Sequence, residues 1–248
     1  MKIRPTALRS ASAFTLVELL VVITIIIVLA ALGFVGLKRA RLSADRAVSI
    51  RNIGQLQFAN TTYAADHNGD YIKVYAFDDK GSSYVAWCDN SDFLSILKGD
   101  SVVSAGGQVD KSHPRSALDP LAYRSKAKEY DRFAGSYGYN YEGALGKSAA
   151  WGTPNAENVF KMQQVTQPAR TAAFITATDW LAKYGGRFKW QGAAAAEGYE
   201  NGKIAYRYDG KALAVYFDGH VGEFTQADMK RIDTQGGNKH VFWNANAN

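Results

Sequence analysis

The chain has 248 residues, a formal net charge of +6 and 47% hydrophobic residues, enough for one globular domain with a core of its own. Half of that net charge lies in residues 1–13, so the remainder is too weakly basic for charge alone to indicate a nucleic-acid partner. The single cysteine, Cys88, excludes an intrachain disulfide, and its place beside Trp87 favours a small buried hydrophobe.

The N-terminus consists of a short polar leader, residues 1–13, and an apolar run, residues 14–37, whose one charge is Glu18. The leader contains three basic residues and no acid: Lys2, Arg4 and Arg9. At about 1.5 Å per residue, the apolar run makes a helix long enough to cross a bilayer core of about 30 Å. It is not an ordinary secretory signal, because the small residues that a signal peptidase needs precede the apolar run instead of following it.

Residues 13–20, AFTLVELL, resemble the processing site of type IV prepilins, which pilins share with the pseudopilins of type II secretion. The resemblance implies cleavage between Ala13 and Phe14 by a prepilin peptidase, followed by N-methylation of Phe14; Ala13 stands where glycine is usual. The new Phe14 ammonium and Glu18 are then four residues apart, on one helix face. The resemblance also implies that Glu18 meets the amine of a neighbouring subunit during assembly. A plain signal-anchor helix with a glutamate near its end is the alternative interpretation.

Residues 38–65 contain no proline, and their apolar positions recur mostly at spacings of three and four residues, which predicts an amphipathic helix. With the apolar run they predict one stem helix over residues 14–65, with a transmembrane segment at 14–37. Basic residues at the start of the amphipathic part fit a solvated face or a contact with phospholipid headgroups equally well. These residues are Lys38, Arg39, Arg41, Arg46 and Arg51.

Residues 66–248 are predicted to form a β-rich head. Asp66, Asn68 and Asp70 have the alternate spacing that opens a calcium loop, but the sequence around Gly69 fits a helix C-cap and turn better. Three strands and a short helix are predicted next, separated by loops at residues 99–135 and 191–202. The strands cover residues 71–77, 136–141 and 171–178, and the helix covers residues 91–98.

The strongest hairpin signal is Asp218-Gly219 between two strand-like runs, residues 212–217 and 220–224. It predicts a two-residue type I′ turn. The resulting register places four apolar residues on one face, against the stem helix: Leu213, Val215, Phe217 and Phe224. Thr225 and Asp228 predict a capped final helix.

Further segments resemble the large pseudopilin-like family abundant in planctomycete and verrucomicrobial bacteria. That family often carries a histidine ten residues before the aspartate of the Asp-Gly pair, where this chain has Tyr208. The segments are residues 51–56 with Tyr63, residues 136–140 and residues 217–221.

Motifs for an active site are absent from the sequence: no glycine-rich phosphate loop, HExxH or CxxC occurs. The four histidines are far apart and lie mostly beside turns, so no metal-ligand spacing is found. Asp179, Asp209 and Asp218 can in principle converge, but isolated loop acids are typical turn formers. We therefore predict no catalytic residues, no cofactor and no metal. The many tyrosines and tryptophans fit either cross-strand packing or a surface for carbohydrate or another partner.

These observations predict an α+β fold in which a long N-terminal stem helix packs on an antiparallel sheet. The resemblance implies a structural subunit of a type IV pilus or type II secretion pseudopilus, anchored by one span in the inner membrane with its head in the periplasm. Its expected partners are the prepilin peptidase and methyltransferase, other pilin or pseudopilin subunits and the inner membrane, with no nucleic acid. The alternative is a membrane-anchored periplasmic binding domain or enzyme that uses a prepilin-type sorting signal.

Overall fold

The computed structural model describes residues 15–98, 114, 117–123, 135–143, 157–190, 192 and 202–247. The chain divides into two compact units, Met1–Ala44 and Asp45–Asn248. We call the second the globular unit; it includes the C-terminal part of the first helix. The predicted loops at residues 99–135 and 191–202 lie mostly outside the described residues.

Helix α1 runs without interruption over Leu16–Asp66, which confirms the single predicted stem helix and moves its start by two residues. Its continuity follows from the sequence, because no proline occurs between Pro5 and Pro114. The helix ends where Asn68 and Gly69 adopt positive φ angles of 54° and 83°. The Gly69 amide donates to the carbonyl of Ala64 at 2.8 Å, as expected for a left-handed C-cap.

In its described residues, the globular unit adds two sheets and three further α-helices. A three-stranded antiparallel sheet has the order β2-β1-β4, and a five-stranded sheet has the order β6-β3-β5-β7-β8. The strands are β1 Tyr75–Phe77, β2 Tyr84–Ala86, β3 Tyr137–Asn140, β4 Glu157–Asn158, β5 Ala172–Thr176, β6 Leu181–Ala182, β7 Lys211–Tyr216 and β8 Val221–Thr225. The helices are α2 Ser91–Lys98, α3 Pro120–Tyr123 and α4 Gln226–Thr234.

The larger sheet is antiparallel except at one edge, where β3 and β6 pair in parallel. The α+β fold with a helix packed on a mostly antiparallel sheet is therefore confirmed. The predicted helix at residues 91–98 is confirmed at both ends. The strand predicted at 71–77 is wrong over its first half, because only Tyr75–Phe77 form a ladder. Before that, single backbone hydrogen bonds join the amides of Tyr71 and Val74 to carbonyls of residues 160 and 158.

The β7–β8 hairpin differs from the prediction by one residue of register. Tyr216 donates its amide to the carbonyl of His220, which leaves a three-residue loop instead of two residues. Gly219 has a φ of +94° and donates to the carbonyl of Tyr216 at 2.9 Å, the pattern of a type I turn followed by a left-handed glycine. A type I′ turn would need positive φ at Asp218 as well. Among the described non-glycine residues, only Asn68 and Asp209 have it.

This register moves Phe224 to the opposite face of the sheet. Phe224 pairs with Ala212, and it packs in a cluster with Met229, Phe242 and Trp243. The prediction that Phe224 shares a face with Leu213 is therefore wrong, because a one-residue slip exchanges the two faces of a strand. Leu213 instead pairs with Glu223, which lies on the side of the sheet that contacts α1.

The two-residue turn forms at a different Asp-Gly pair, Asp209-Gly210. Their φ angles are 51° and 76°, and Tyr208 and Lys211 exchange backbone hydrogen bonds of 3.1 and 3.0 Å across them. These are the features of a type I′ turn. It lies directly before β7, at the other end of that strand from Gly219.

The sheet is covered on both faces. One face contacts the C-terminal part of α1, where Ile53 and Leu56 are fully buried. The other face is covered by α4 and the segment after it, which supplies Phe242 and Trp243. Helix α4 begins with the predicted cap, in which Thr225 and Asp228 form a reciprocal capping box.

Two glycine substitutions should have opposite effects on stability. A Cβ at Gly54 on α1 meets only a methyl group of Val221 at 4.0 Å, so Gly54→Ala should stabilise the helix by about 0.5–1 kcal/mol. A Cβ at Gly138 would lie 2.5 Å from the carbonyl carbon of Leu181 in β6. Gly138→Ala should therefore destabilise the globular unit by about 1–3 kcal/mol. Thermal unfolding of the full chain in detergent, followed by circular dichroism, measures both, and equal shifts of the two variants would contradict the packing described.

Candidate functional site

The N-terminal part of α1 is an apolar surface. Its large apolar side chains described between Leu16 and Leu37 expose between 43% and 81% of their area. Among the described residues, α1 is the one helix that is long and apolar enough to cross a membrane. An apolar surface of this extent needs an apolar environment, which a bilayer or other apolar helices can provide.

Glu18 lies in the first turn of α1 and forms a capping box with Thr15. Its Oε2 accepts hydrogen bonds from the Thr15 amide at 2.9 Å and from the Thr15 hydroxyl at 2.8 Å. The Glu18 amide in turn donates to Thr15 Oγ1 at 3.2 Å. These bonds satisfy donors at the helix start and explain why α1 begins at Leu16. The Thr-x-x-Glu spacing was visible in the sequence, but our sequence analysis considered Glu18 only as a charge.

The predicted cleavage and N-methylation residues, Ala13 and Phe14, lie outside the described residues. Of the residues next to the predicted cleavage site, the structure shows Thr15, which directly follows Phe14, in contact with Glu18. Thr15 itself is not helical.

Polar side chains on the inward face of α1 fasten the helix to the rest of the globular unit. Asn52 donates to the carbonyl of Leu118 at 2.7 Å, and Gln57 donates to the carbonyl of Phe217 at 3.0 Å. Asn60 accepts from the amide of Ile72 at 3.0 Å. All three are fully buried, so each bond replaces water that the side chain has lost. The sequence pattern predicts the apolar residues of this face but not these polar contacts.

Asp119 is the centre of a buried polar cluster between α1 and the sheet. Its Oδ2 accepts from the hydroxyls of Ser49 on α1 and Tyr208, each at 2.8 Å. Its Oδ1 accepts from the amides of Leu121 and Ala122, at 2.9 and 3.1 Å, and so caps α3. Each carboxylate oxygen thus has two donors, as a buried carboxylate requires.

The tyrosines of this cluster are held as neutral donors. Burial, and then the charge of Asp119, raise the pKa of Tyr208 far above its usual value, and the same two causes raise the pKa of Tyr137. The Tyr137 hydroxyl lies 2.9 Å from Ser49 Oγ. Tyr208, ten residues before Asp218, thus uses its hydroxyl for a structural hydrogen bond to Asp119.

An ion-pair group lies at the exposed rim of the contact between α1 and the sheet. The Arg46 guanidinium pairs with the Glu223 carboxylate of β8. Lys211 on β7 adds a second contact to the same carboxylate at 3.4 Å. Because all three side chains are partly exposed, this group contributes less to stability than the buried cluster around Asp119.

The histidines and loop acids do not form a common site. His67 stacks on Tyr63 and His220 contacts Asp218, whereas burial lowers the pKa of His240. His113 lies outside the described residues. In the described part of the chain, no group of three or more His, Cys, Asp or Glu side chains is arranged to hold a metal.

The loop acids named in the sequence analysis have separate roles. Asp209 and Asp218 lie in the turns at opposite ends of β7. Asp179 is buried, which raises its pKa, and it accepts from the amide of Gly202 at 3.1 Å. Asp70, from the rejected calcium spacing, pairs with Lys161 at 3.2 Å. Asp209 and Asp218 therefore do not converge.

Comparison of the chain with protein-family models, with curated proteins and with solved structures finds no match.

Removing the acceptor at the centre of the buried cluster should destabilise the globular unit. Asp119→Ala leaves four donors without their partner, and we expect a loss of about 3 kcal/mol or more in the free energy of unfolding. Asp119→Asn should lose less, because its amide oxygen can keep the α3 amides while its NH₂ donates to the two hydroxyls, which can rotate to accept. Urea unfolding of the full chain in detergent measures both losses.

The control is Asp79→Ala, at an exposed aspartate within the β1–β2 turn, which should change stability by less than about 0.5 kcal/mol. If Asp119→Ala is no less stable than this control, the cluster does not hold α1 to the sheet.

Proposed function

We propose that this chain is a prepilin-like structural subunit. A prepilin peptidase cleaves it between Ala13 and Phe14, Phe14 is N-methylated, and the product joins pilin or pseudopilin subunits in a type IV pilus or type II secretion pseudopilus. The observation that carries the proposal is an exposed apolar helix segment whose one acid, Glu18, lies in its first turn and within the prepilin-like motif. The proposal assigns the chain no catalytic activity.

The exposed segment suits a subunit that exchanges one apolar environment for another. Before assembly, α1 would span the inner membrane once, with the globular unit in the periplasm. After assembly, the same side chains would contact the helices of neighbouring subunits in a periplasmic or extracellular filament. Phe58, 74% exposed on α1 within the globular unit, gives neighbouring helices a further apolar contact.

Glu18 supports the proposal because a carboxylate in an apolar segment is energetically costly and therefore indicates a function. At mid-membrane such a charge costs about 2.5–3.5 kcal/mol, and less near a helix end. The Thr15 cap offsets part of this cost with two hydrogen bonds to Oε2. An ammonium on the Phe14 of a neighbouring subunit would offset more.

The rival function is a monomeric membrane-anchored binding domain or enzyme that carries the same sorting signal. The two functions share the anchor and differ in what happens to it, since only the subunit moves α1 from lipid into a filament. Processing at Ala13 and dependence of filament formation on Glu18 separate them.

Replacing Ala13 with leucine should block processing. A peptidase subsite that accepts only a small residue excludes leucine by steric clash. Full-length protein that keeps its basic leader should then accumulate in the membrane, whereas the native N-terminus should be a methylated Phe14. Mass spectrometry of the N-terminus measures both.

Two controls make this result specific. Ala13→Gly restores the usual residue and should be processed at least as well, and Ala11→Leu puts the same bulk two residues upstream and should be processed. Normal maturation of the Ala13→Leu protein would show that the motif is coincidental.

Three substitutions separate the charge of Glu18 from its capping role. Glu18→Gln keeps an acceptor for Thr15 but removes the charge, whereas Glu18→Val removes both. Thr15→Val keeps the charge but removes the hydroxyl that caps the Glu18 amide. If the carboxylate pairs with a neighbouring ammonium, both Glu18 variants should lose filaments, because an unpaired buried ammonium costs about 3–5 kcal/mol. All three should still insert in the membrane. Sheared-filament and membrane-fraction yields, measured in cells with the assembly machinery, give the comparison.

Thr15→Val should retain more filament than Glu18→Gln. If Glu18→Gln yields as much filament as the wild type, the charge pair is rejected and Glu18 has only its capping role. If the wild type forms no filament in cells whose secretion machinery is active, the anchored monomer is favoured.

A further inference from the structure

A cluster of basic side chains follows the apolar segment of α1 directly. Lys38, Arg39 and Arg41 are all exposed, and we call them the basic collar. From Glu18 to Asp45 the sequence contains no acid, so the collar is the only charged group on this part of the helix.

Among the described residues, the collar differs from Arg46 and Arg51, which follow it, in having no salt-bridge or hydrogen-bond partner. Arg46 pairs with Glu223, and Arg51 donates to Asn52 Oδ1 at 3.3 and 3.2 Å. Among the described residues, none of the three collar side chains forms a salt bridge. Their charges are therefore available to a partner outside the chain.

Lys38 shows at which level of the helix that partner would lie. Its Nζ is 4.8 Å from the centroid of the Phe34 ring, one helical turn back toward the apolar segment. The Phe34 ring is itself 61% exposed. Lysine and arginine near the end of an apolar helix keep their stems along the hydrocarbon and place their charge among the headgroups. If the apolar segment spans a bilayer, the ammonium of Lys38 therefore lies at the depth of the headgroup phosphates.

The directions of the three side chains distinguish among anionic partners. At about 100° per residue, they are spread over about 160° of the helix circumference. One phosphate ion, or one carboxylate of another chain, cannot contact all three. A layer of headgroups that surrounds the helix can.

We propose that the basic collar binds anionic phospholipid headgroups at the membrane surface on the side of the globular unit. The guanidinium groups of Arg39 and Arg41 donate paired hydrogen bonds to phosphodiester oxygens, and Lys38 adds a point charge beside Phe34. This binding requires anionic phospholipid but no filament. It holds for a subunit and for an anchored monomer alike, so its failure and that of the proposed function can be told apart.

The test measures lipid binding to the full chain in neutral detergent. Phosphatidylglycerol or phosphatidylcholine with the same acyl chains is titrated in, and bound lipid is counted by native mass spectrometry. The wild type should prefer phosphatidylglycerol by roughly tenfold or more, because each cation near an anionic surface adds a several-fold preference. In solution titrations with the same lipids, salt of about 1 M should reduce that preference.

Two triple variants with the same change in net charge provide the comparison. Lys38→Gln with Arg39→Gln and Arg41→Gln should abolish the preference. Lys80→Gln with Lys189→Gln and Lys230→Gln, at exposed positions of the globular unit, should keep it. Circular dichroism checks that both variants retain the helix.

Three results would overturn the proposal. One is the absence of a preference in the wild type, and another is an equal preference in the two triple variants. The third is displacement of phosphatidylglycerol by millimolar inorganic phosphate, which would assign the collar to free phosphate. Persistence of bound lipid in phosphate supports the headgroup assignment.

Discussion

The position of α1 against the sheet depends on one buried carboxylate. Asp119 accepts four hydrogen bonds from three parts of the chain: Ser49 on α1, Tyr208 before β7 and the first amides of α3. Apolar contacts are non-directional, so on their own they tolerate a small shift of a helix on a sheet. A fully buried acid does not, because any shift leaves a donor or an oxygen without a partner. Asn52, Gln57 and Asn60 extend the same constraint along the helix.

This constraint explains which parts of the fold could be predicted. The length of α1, its C-cap, α2 and the cap of α4 follow from local patterns, and each was predicted within a few residues. The partners of the buried polar residues were not, because Ser49 and Asp119 are 70 positions apart and nothing local relates them. In the sequence, a polar residue among the apolar positions of a helix, such as Ile53 and Leu56, looks the same whether it faces water or a buried acid.

The hairpin shows the limit of local turn signals. The chain has two Asp-Gly pairs at the ends of β7, and only Asp209-Gly210 forms the two-residue turn. At the other end, the Phe217 carbonyl accepts from Gln57 on α1 and its ring packs against Tyr71. Tertiary contacts thus place Phe217 in the loop, and the register changes by one residue. Phe224 then serves the core on the far side of the sheet.

Glu18 illustrates how a local rule and a proposed function can share one side chain. The geometry at Thr15–Glu18 matches that of the cap at Thr225–Asp228, where the corresponding distances are also 2.9, 2.8 and 3.2 Å. The cap is therefore what any helix start with this spacing provides, and it does not by itself argue for assembly. Both bonds that Glu18 accepts go to Oε2, and among the described residues Oε1 has no hydrogen-bond partner. Under the proposed function, an ammonium from a neighbouring subunit would approach Oε1 while Thr15 keeps Oε2, so capping and pairing would not compete. Under the proposed function, the cap would limit the cost of the charge within a membrane, and the remaining oxygen would give that charge a partner within a filament.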